Sequence, residues 1–171
     1  MKLSTRGRYG LRALLDLALH KDEGPVLLKD IARRQEFSLL YLQHLIAPLI
    51  AAGVVKSTRG IGGGVSLLKS PSEIKLSEVV QLLEGPVMPV DCVNNPALCR
   101  RSTFCVTRDI WIEMRSAMNQ LLDSTTLQDL VERQKRRGHP EGIRKRETRS
   151  TGSRHRCKEV LCGTRQTNQP R

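Results

Sequence analysis

The stretch SLLYLQHLIAPLIAAGVVKSTRGIGGGVSLL, residues 38–68, decides the fold. Leu42, Leu45, Ile46, Leu49 and Ile50 recur at helical spacing and form one apolar stripe. Ser38 stands where a helix start needs a side-chain acceptor for an unpaired backbone N–H, and Gly53 stands where the helix ends. Pro48 has no N–H to give inside this pattern and predicts a kink or a local loosening. Two strand-like runs follow, Val54 to Ser57 and Val65 to Leu68, joined by Thr58-Arg59-Gly60-Ile61-Gly62-Gly63-Gly64. Glycine tolerates positive φ, so the joining segment reverses the chain readily and predicts a β-hairpin.

Upstream, Leu11, Leu14, Leu15 and Ala18 fall at i, i+3, i+4 and i+7, one stripe of a helix from about Thr5 to His20. Gly24-Pro25 breaks the chain, and Leu28, Ile31 and Ala32 mark a short second helix with Arg33 and Arg34 near its C-terminal end. Helix, short helix, turn, helix and glycine-rich hairpin is the order of a winged helix-turn-helix, whose second paired helix enters the major groove. The fold class is therefore mainly α, with a β-hairpin wing. Ser77 is positioned to cap one more helix, carrying Val79, Val80 and Leu83 and stopped by Gly85-Pro86, which closes a DNA-binding domain at 1–84.

Residues 85–107 read as an irregular loop with Pro86, Pro89 and Pro96 and with Cys92, Cys99 and Cys105. In 108–132 the spacing of Ile110, Trp111, Met114, Met118, Leu121 and Leu122 is again helical, with a shorter helix restarting at Thr126 and running through Leu130. A long helix this apolar requires a partner, so 108–132 is assigned as dimerisation helices. Residues 133–171 have high charge and too few apolar side chains to offset ordering, which predicts a disordered tail.

The net charge of +12 over 171 residues suggests a polyanionic partner, but its distribution is uneven. Residues 1–132 hold 16 basic and 14 acidic side chains, whereas 133–171 hold 13 and 3. The tail either adds sequence-independent phosphate contacts or is a solvated extension. The DNA-binding case therefore rests on placement. The apolar stripe of the third helix leaves Ser38, Tyr41, Gln43 and His44 to face base edges and phosphates. Arg59, on a narrow glycine-supported tip, can reach a minor groove. Lys2 and Gly60 complete the predicted contact set. The plainer alternatives are a half-buried aromatic for Tyr41, a solvated side chain for His44 and an ordinary exposed cation for Arg59.

Several classes are excluded. The glycine run lacks the lysine of a phosphate-binding loop, and the third glycine of a dinucleotide fingerprint would fall at Val65. No nucleophile–base or paired-carboxylate arrangement points to catalysis, so neither an enzyme nor a small-molecule substrate is expected. Arg8, Arg12 and Asp16 interrupt the first helix, unlike the apolar core of a signal peptide. The longest apolar run, Leu45 to Val55, is broken by Pro48 and Gly53 and is about half of the roughly 20 residues that span a bilayer. A cytoplasmic location without membrane contact is expected.

In a reducing compartment five cysteines are not a disulfide framework. Cys92, Cys99 and Cys105 are separated by six and five residues, without the close pairs of a structural zinc site. Thiolates on a wide-spaced loop suit an iron–sulfur cluster, with three unconnected cysteines as the plain alternative. A reversible thiol switch would use the same residues. Cys157 and Cys162 read as incidental.

The opening MKLSTRGRYGLRALLDLA, the 38–68 stretch and three cysteines just before a Trp111-bearing helix together resemble the Rrf-type family of bacterial winged-helix transcription regulators, over residues 1 to about 132. The resemblance implies a homodimer reading a palindromic double-stranded DNA operator. It also implies that Cys92, Cys99 and Cys105 ligate an iron–sulfur cluster, 2Fe-2S more often than 4Fe-4S, which makes the regulator responsive to iron–sulfur, redox or nitric-oxide status. At the fourth ligand this sequence departs from the pattern. The histidine of the IscR-like branch is Arg108 here, and the carboxylate of the NsrR-like branch is Arg8. A guanidinium has no lone pair to give. Asp91, Asp109, a partner-chain residue, a small thiol or water stand as alternatives.

Overall fold

The computed structural model describes residues 4–138. Lys2, the predicted disordered tail beyond Gly138, and Cys157 and Cys162 lie outside the described residues. Helix α1 spans Thr5–Leu19, and its cap is the Ser4 hydroxyl, which accepts the Arg6 N–H at 3.0 Å. It buries Ala13, Leu14, Leu17 and Ala18. After a 3-10 turn at Lys21–Glu23, α2 runs over Leu28–Gln35 and ends at Glu36 in the left-handed region, with φ 58°. Helix α3, Leu39–Ala51, starts at the expected Ser38 cap and buries Leu42, Leu45, Ile46 and Leu49. It continues through Pro48, which sits in the last turns, where the missing N–H leaves only the carbonyl of the exposed His44 without its helical partner.

Strands β1, Val55–Thr58, and β2, Gly64–Leu67, pair antiparallel with Val55 opposite Leu67 and Thr58 opposite Gly64. The hairpin is the expected one, with each strand shifted by a residue. Its base is extended by Val26, whose N–H and carbonyl bond to Val65 at 2.8 Å each. This bridge demands Gly64, because a Cβ there would lie 2.5 Å from the Val26 carbonyl oxygen.

Helix α4, Leu76–Glu84, corrects the Ser77 expectation. The cap position is Lys75, and Ser77 lies inside the first turn. The helix starts earlier because Leu76 is buried and its N–H bonds to the Thr125 carbonyl at 3.0 Å. The cysteine segment is also more ordered than the loop expected from its prolines. It contains a single-turn helix, α5, Asp91–Asn94, and a 3-10 turn, Pro96–Leu98, in which Pro96 takes the favoured first position and the Asn95 side chain accepts the Ala97 N–H.

Helix α6 spans Val106–Ser124, and α7 spans Leu127–Arg137. The boundaries expected at 108 and 132 therefore both move, the second into the middle of a helix. A reciprocal capping box between Thr126 and Asp129 starts α7, and Lys135, Arg136 and Arg137 occupy the last turn, where positive charge is favoured. Helix α7 packs back onto α1 instead of extending α6. Leu127 and Val131 join the same core as Leu14, Ile31, Leu42, Val54 and Ile74, against α1.

Two features of that core were not legible as periodicity. Gly7 and Gly10 let α4 approach α1 so closely that a Cβ on Gly10 would lie 2.3 Å from the Leu83 side chain. Asp16, one of the charged residues that interrupt the first helix, is 3% exposed and accepts from two nitrogens of the Arg34 guanidinium and from Gln35 Nε2 at 2.9 Å. The pair ties α1 to α2, and the hydrogen bond to Asp16 raises the already high Arg34 pKa. No helix among the described residues is long and apolar enough to cross a membrane.

Candidate functional site

The exposed side of α3 is set by its buried side. Leu40, Gln43, His44 and Ala47 lie at i, i+3, i+4 and i+7 and are all exposed, so the face offers two polar side chains between apolar ones. Leu40, 66% exposed, was absent from the sequence-derived set, although its position off the Leu42–Leu45–Leu49 stripe marks it. Ser38 is exposed, with its hydroxyl accepting the Tyr41 N–H at 3.2 Å.

Tyr41 packs back towards α1. It is half-buried, sits edge-on to Tyr9 with centroids 6.1 Å apart, and donates its hydroxyl to Thr5 Oγ1 at 3.2 Å. Tyr9 in turn stacks on Phe37 at 4.5 Å, with the Arg12 guanidinium over both rings. This cluster holds the start of α3 to the start of α1. Sequence reasoning missed it because its rings come from two elements.

At the wing tip, Gly60 and Gly62 have φ 97° and 78°, and the Gly63 N–H closes the turn on the Gly60 carbonyl at 2.9 Å. Arg59 is exposed there and makes no ion pair among the described residues. Ile61 beside it is fully exposed. The start of α1 is fixed from α4: Glu84 Oε1 accepts the Ser4 hydroxyl at 2.6 Å and the Gly7 N–H at 2.7 Å. Desolvation alone would raise the Glu84 pKa, but these hydrogen bonds hold it below the usual carboxylate value.

Cys92 lies in α5, Cys99 directly follows the 3-10 turn, and Cys105 is the cap residue of α6. All three thiols are free and half-exposed. Among the described residues no three His, Cys, Asp or Glu side chains gather closely enough to hold a metal ion. Each cysteine belongs to a different local element. In donor chemistry the set still fits a thiolate-bound cluster. The Thr107 hydroxyl 3.2 Å from the Cys105 sulfur and nearby backbone N–H groups lower the pKa of that thiol. Arg108 donates its Nε to the Cys92 carbonyl at 3.0 Å and supplies no ligand. Asp91 and Asp109 are exposed in the first turns of α5 and α6.

Helix α6 carries this segment. None of its residues is buried, and Val106, Ile110, Met114 and Leu121 stand exposed along it. An open groove of about 570 Å³ runs between α4 and α6, with Met88, Ile112, Arg115 and Asn119 among its walls.

Comparison with known proteins gives a consistent result. A family model described as "Rrf2: Iron-dependent Transcriptional regulator" matches residues 3–133. Protein rrf2 of Nitratidesulfovibrio vulgaris is 46% identical over 131 residues, which cover 77% of this chain and 87% of that protein. The solved structure of CymR, the global cysteine regulator of B. subtilis, superposes with a TM-score of 0.68 at 40% identity, covering 78% of this chain and 98% of that one. The structure of IscR from T. potens gives 0.67 at 39% identity, covering 83% and 94%.

Proposed function

We propose, from the premise that this chain belongs to the Rrf2 family of transcriptional regulators, that it binds a palindromic operator as a homodimer and reports the state of its three-cysteine segment to DNA. It is a DNA-binding winged-helix regulator and not an enzyme. In the proposed complex Gln43 and His44 meet base edges from α3, with Ser38 at the helix start contacting phosphate. Leu40 and Ala47 flank them with apolar surface suited to thymine methyl groups. Arg59, carried by Gly60, enters the neighbouring minor groove. Tyr41 acts by holding α3 to α1, and Lys2 adds a phosphate contact.

The observation that carries the sensory part is the continuity between the thiols and α6. Cys105 stands at the N-cap of a nineteen-residue helix along which Val106, Ile110, Met114 and Leu121 are exposed, so the segment sits at the root of the surface where a second copy would pack. An iron–sulfur cluster, when held by Cys92, Cys99 and Cys105, would supply a tie among the thiolates that is sensitive to oxidants and to nitric oxide. The chain's own part is to orient α6 relative to the winged unit. Half-sites on DNA lie about one helical turn apart, so a small reorientation misplaces both recognition helices. The test compares wild type with Cys99→Ala in operator binding, with and without iron and sulfide. Wild type is expected to respond and the variant not. A wild type indifferent to iron and sulfide sinks the reading.

A second reading, a cluster-free thiol switch, is favoured by the free, half-exposed Cys105, whose sulfur lies 3.2 Å from the Thr107 hydroxyl and whose pKa is lowered. Stoichiometric iron and acid-labile sulfide in anaerobically purified protein would exclude it.

A further inference from the structure

We propose that Arg108 is the positioning residue of the cysteine segment, holding the first and last cysteines together through their backbone carbonyls. Its side-chain Nε donates to the Cys92 carbonyl at 3.0 Å, and its own backbone N–H donates to the Cys105 carbonyl at 3.0 Å. One residue therefore ties both ends of the segment, and the side-chain bond spans 16 positions of sequence. The residue is half-buried, and a guanidinium donor makes a stronger bond to a carbonyl than a neutral donor does.

The two ends need this tie unequally. Cys105 caps α6 and inherits the order of a nineteen-residue helix. Cys92 lies in a helix of four residues, which cannot hold its own shape in water without outside support. Arg108 passes the order of the long helix to the short one. Cys99 is outside the tie, because its N–H bonds to the Pro96 carbonyl at 3.2 Å and its carbonyl accepts the Ser102 N–H at 3.0 Å, both local turns. The fold thus fixes two of the cysteines relative to α6 and leaves the third on a turn of its own. Arg108 cannot ligate, so this chain uses the position for order instead of coordination. That the tie serves sensing rests on the function proposed above; the tie itself does not.

The test uses the full-length chain stripped of metal and kept reduced. In Arg108→Ala, amide exchange over residues 92–95 should rise at least fivefold and iodoacetamide should label Cys92 faster, with Cys99 labelling and exchange in the middle of α6 unchanged. Arg108→Lys, which keeps a cationic donor, should return exchange to within about twofold of wild type. Arg101→Ala removes a loop cation that makes no such bond and should match wild type. Unchanged exchange in Arg108→Ala overturns the proposal, as does an equal rise in Arg101→Ala or in mid-α6. Failure of the cluster reading is scored separately, by iron and sulfide uptake.

Discussion

The winged unit and helix α6 answer the same physical demand in opposite ways. Helices α1 to α4, the hairpin and α7 close around one core in which Leu14, Leu42, Leu49, Val54 and Leu127 are fully buried. Helix α6 is the longest of the described helices, yet none of its residues is buried, although its sequence is as amphipathic as that of α1. An apolar stripe that finds its complement within the chain becomes core. The same kind of stripe without one stays exposed, which is the basis for the dimer proposed above. The cysteine segment lies on the border between the two regimes, following α4 in the chain and bonded to α6 through Arg108.

That contrast can be broken most forcefully at Asp16. Asp16→Ala would strand the Arg34 guanidinium against a buried face and is expected to cost about 3–5 kcal/mol in urea unfolding. A loss below ~1 kcal/mol would mean that the α1–α2 tie contributes little and that the winged unit is held by apolar packing alone. A smaller effect is expected where α4 meets α1. Glu84→Ala should cost about 1 kcal/mol at neutral pH by removing the acceptor of the Ser4 and Gly7 bonds. The folded carboxyl has a lowered pKa, so its contribution is complete above the unfolded value and fades as pH falls through the folded one. Wild type and variant should therefore converge in stability in acid; a gap that persists there would assign the loss to packing.

The smallest effect on stability is expected in α6, where it sharpens the contrast. Leu121→Ser should change the stability of the winged unit by no more than ~0.5 kcal/mol, yet move the chain from dimer to monomer in sedimentation and weaken operator binding with it. A stability loss of core size with the dimer intact would place Leu121 in the core instead.

The elements themselves were legible because their causes are local. The stripe Leu42–Leu45–Ile46–Leu49, the Ser38 cap and the glycines between Arg59 and Val65 each act within a few residues, and the helix-turn-helix and hairpin appear where the sequence puts them. Of the candidate site, the exposure of Gln43 and His44 follows from that stripe and the exposure of Arg59 from the glycine tip. Tyr41 does not, because its partners Thr5 and Tyr9 are supplied by a helix more than thirty residues away.

What the sequence by itself determined was the order of helices and strands, the wing, and the presence of three thiols next to a long amphipathic helix. Tertiary structure alone decided that Asp16 is buried, that Gly10 is required by Leu83, that α7 returns to the core, and that Arg108 joins the Cys92 end of its segment to the Cys105 end. The physical reason is range. Caps, turns and stripes are settled by neighbours along the chain, whereas these contacts join residues from 16 to more than 70 positions apart, and their energies exist only once the intervening chain has folded.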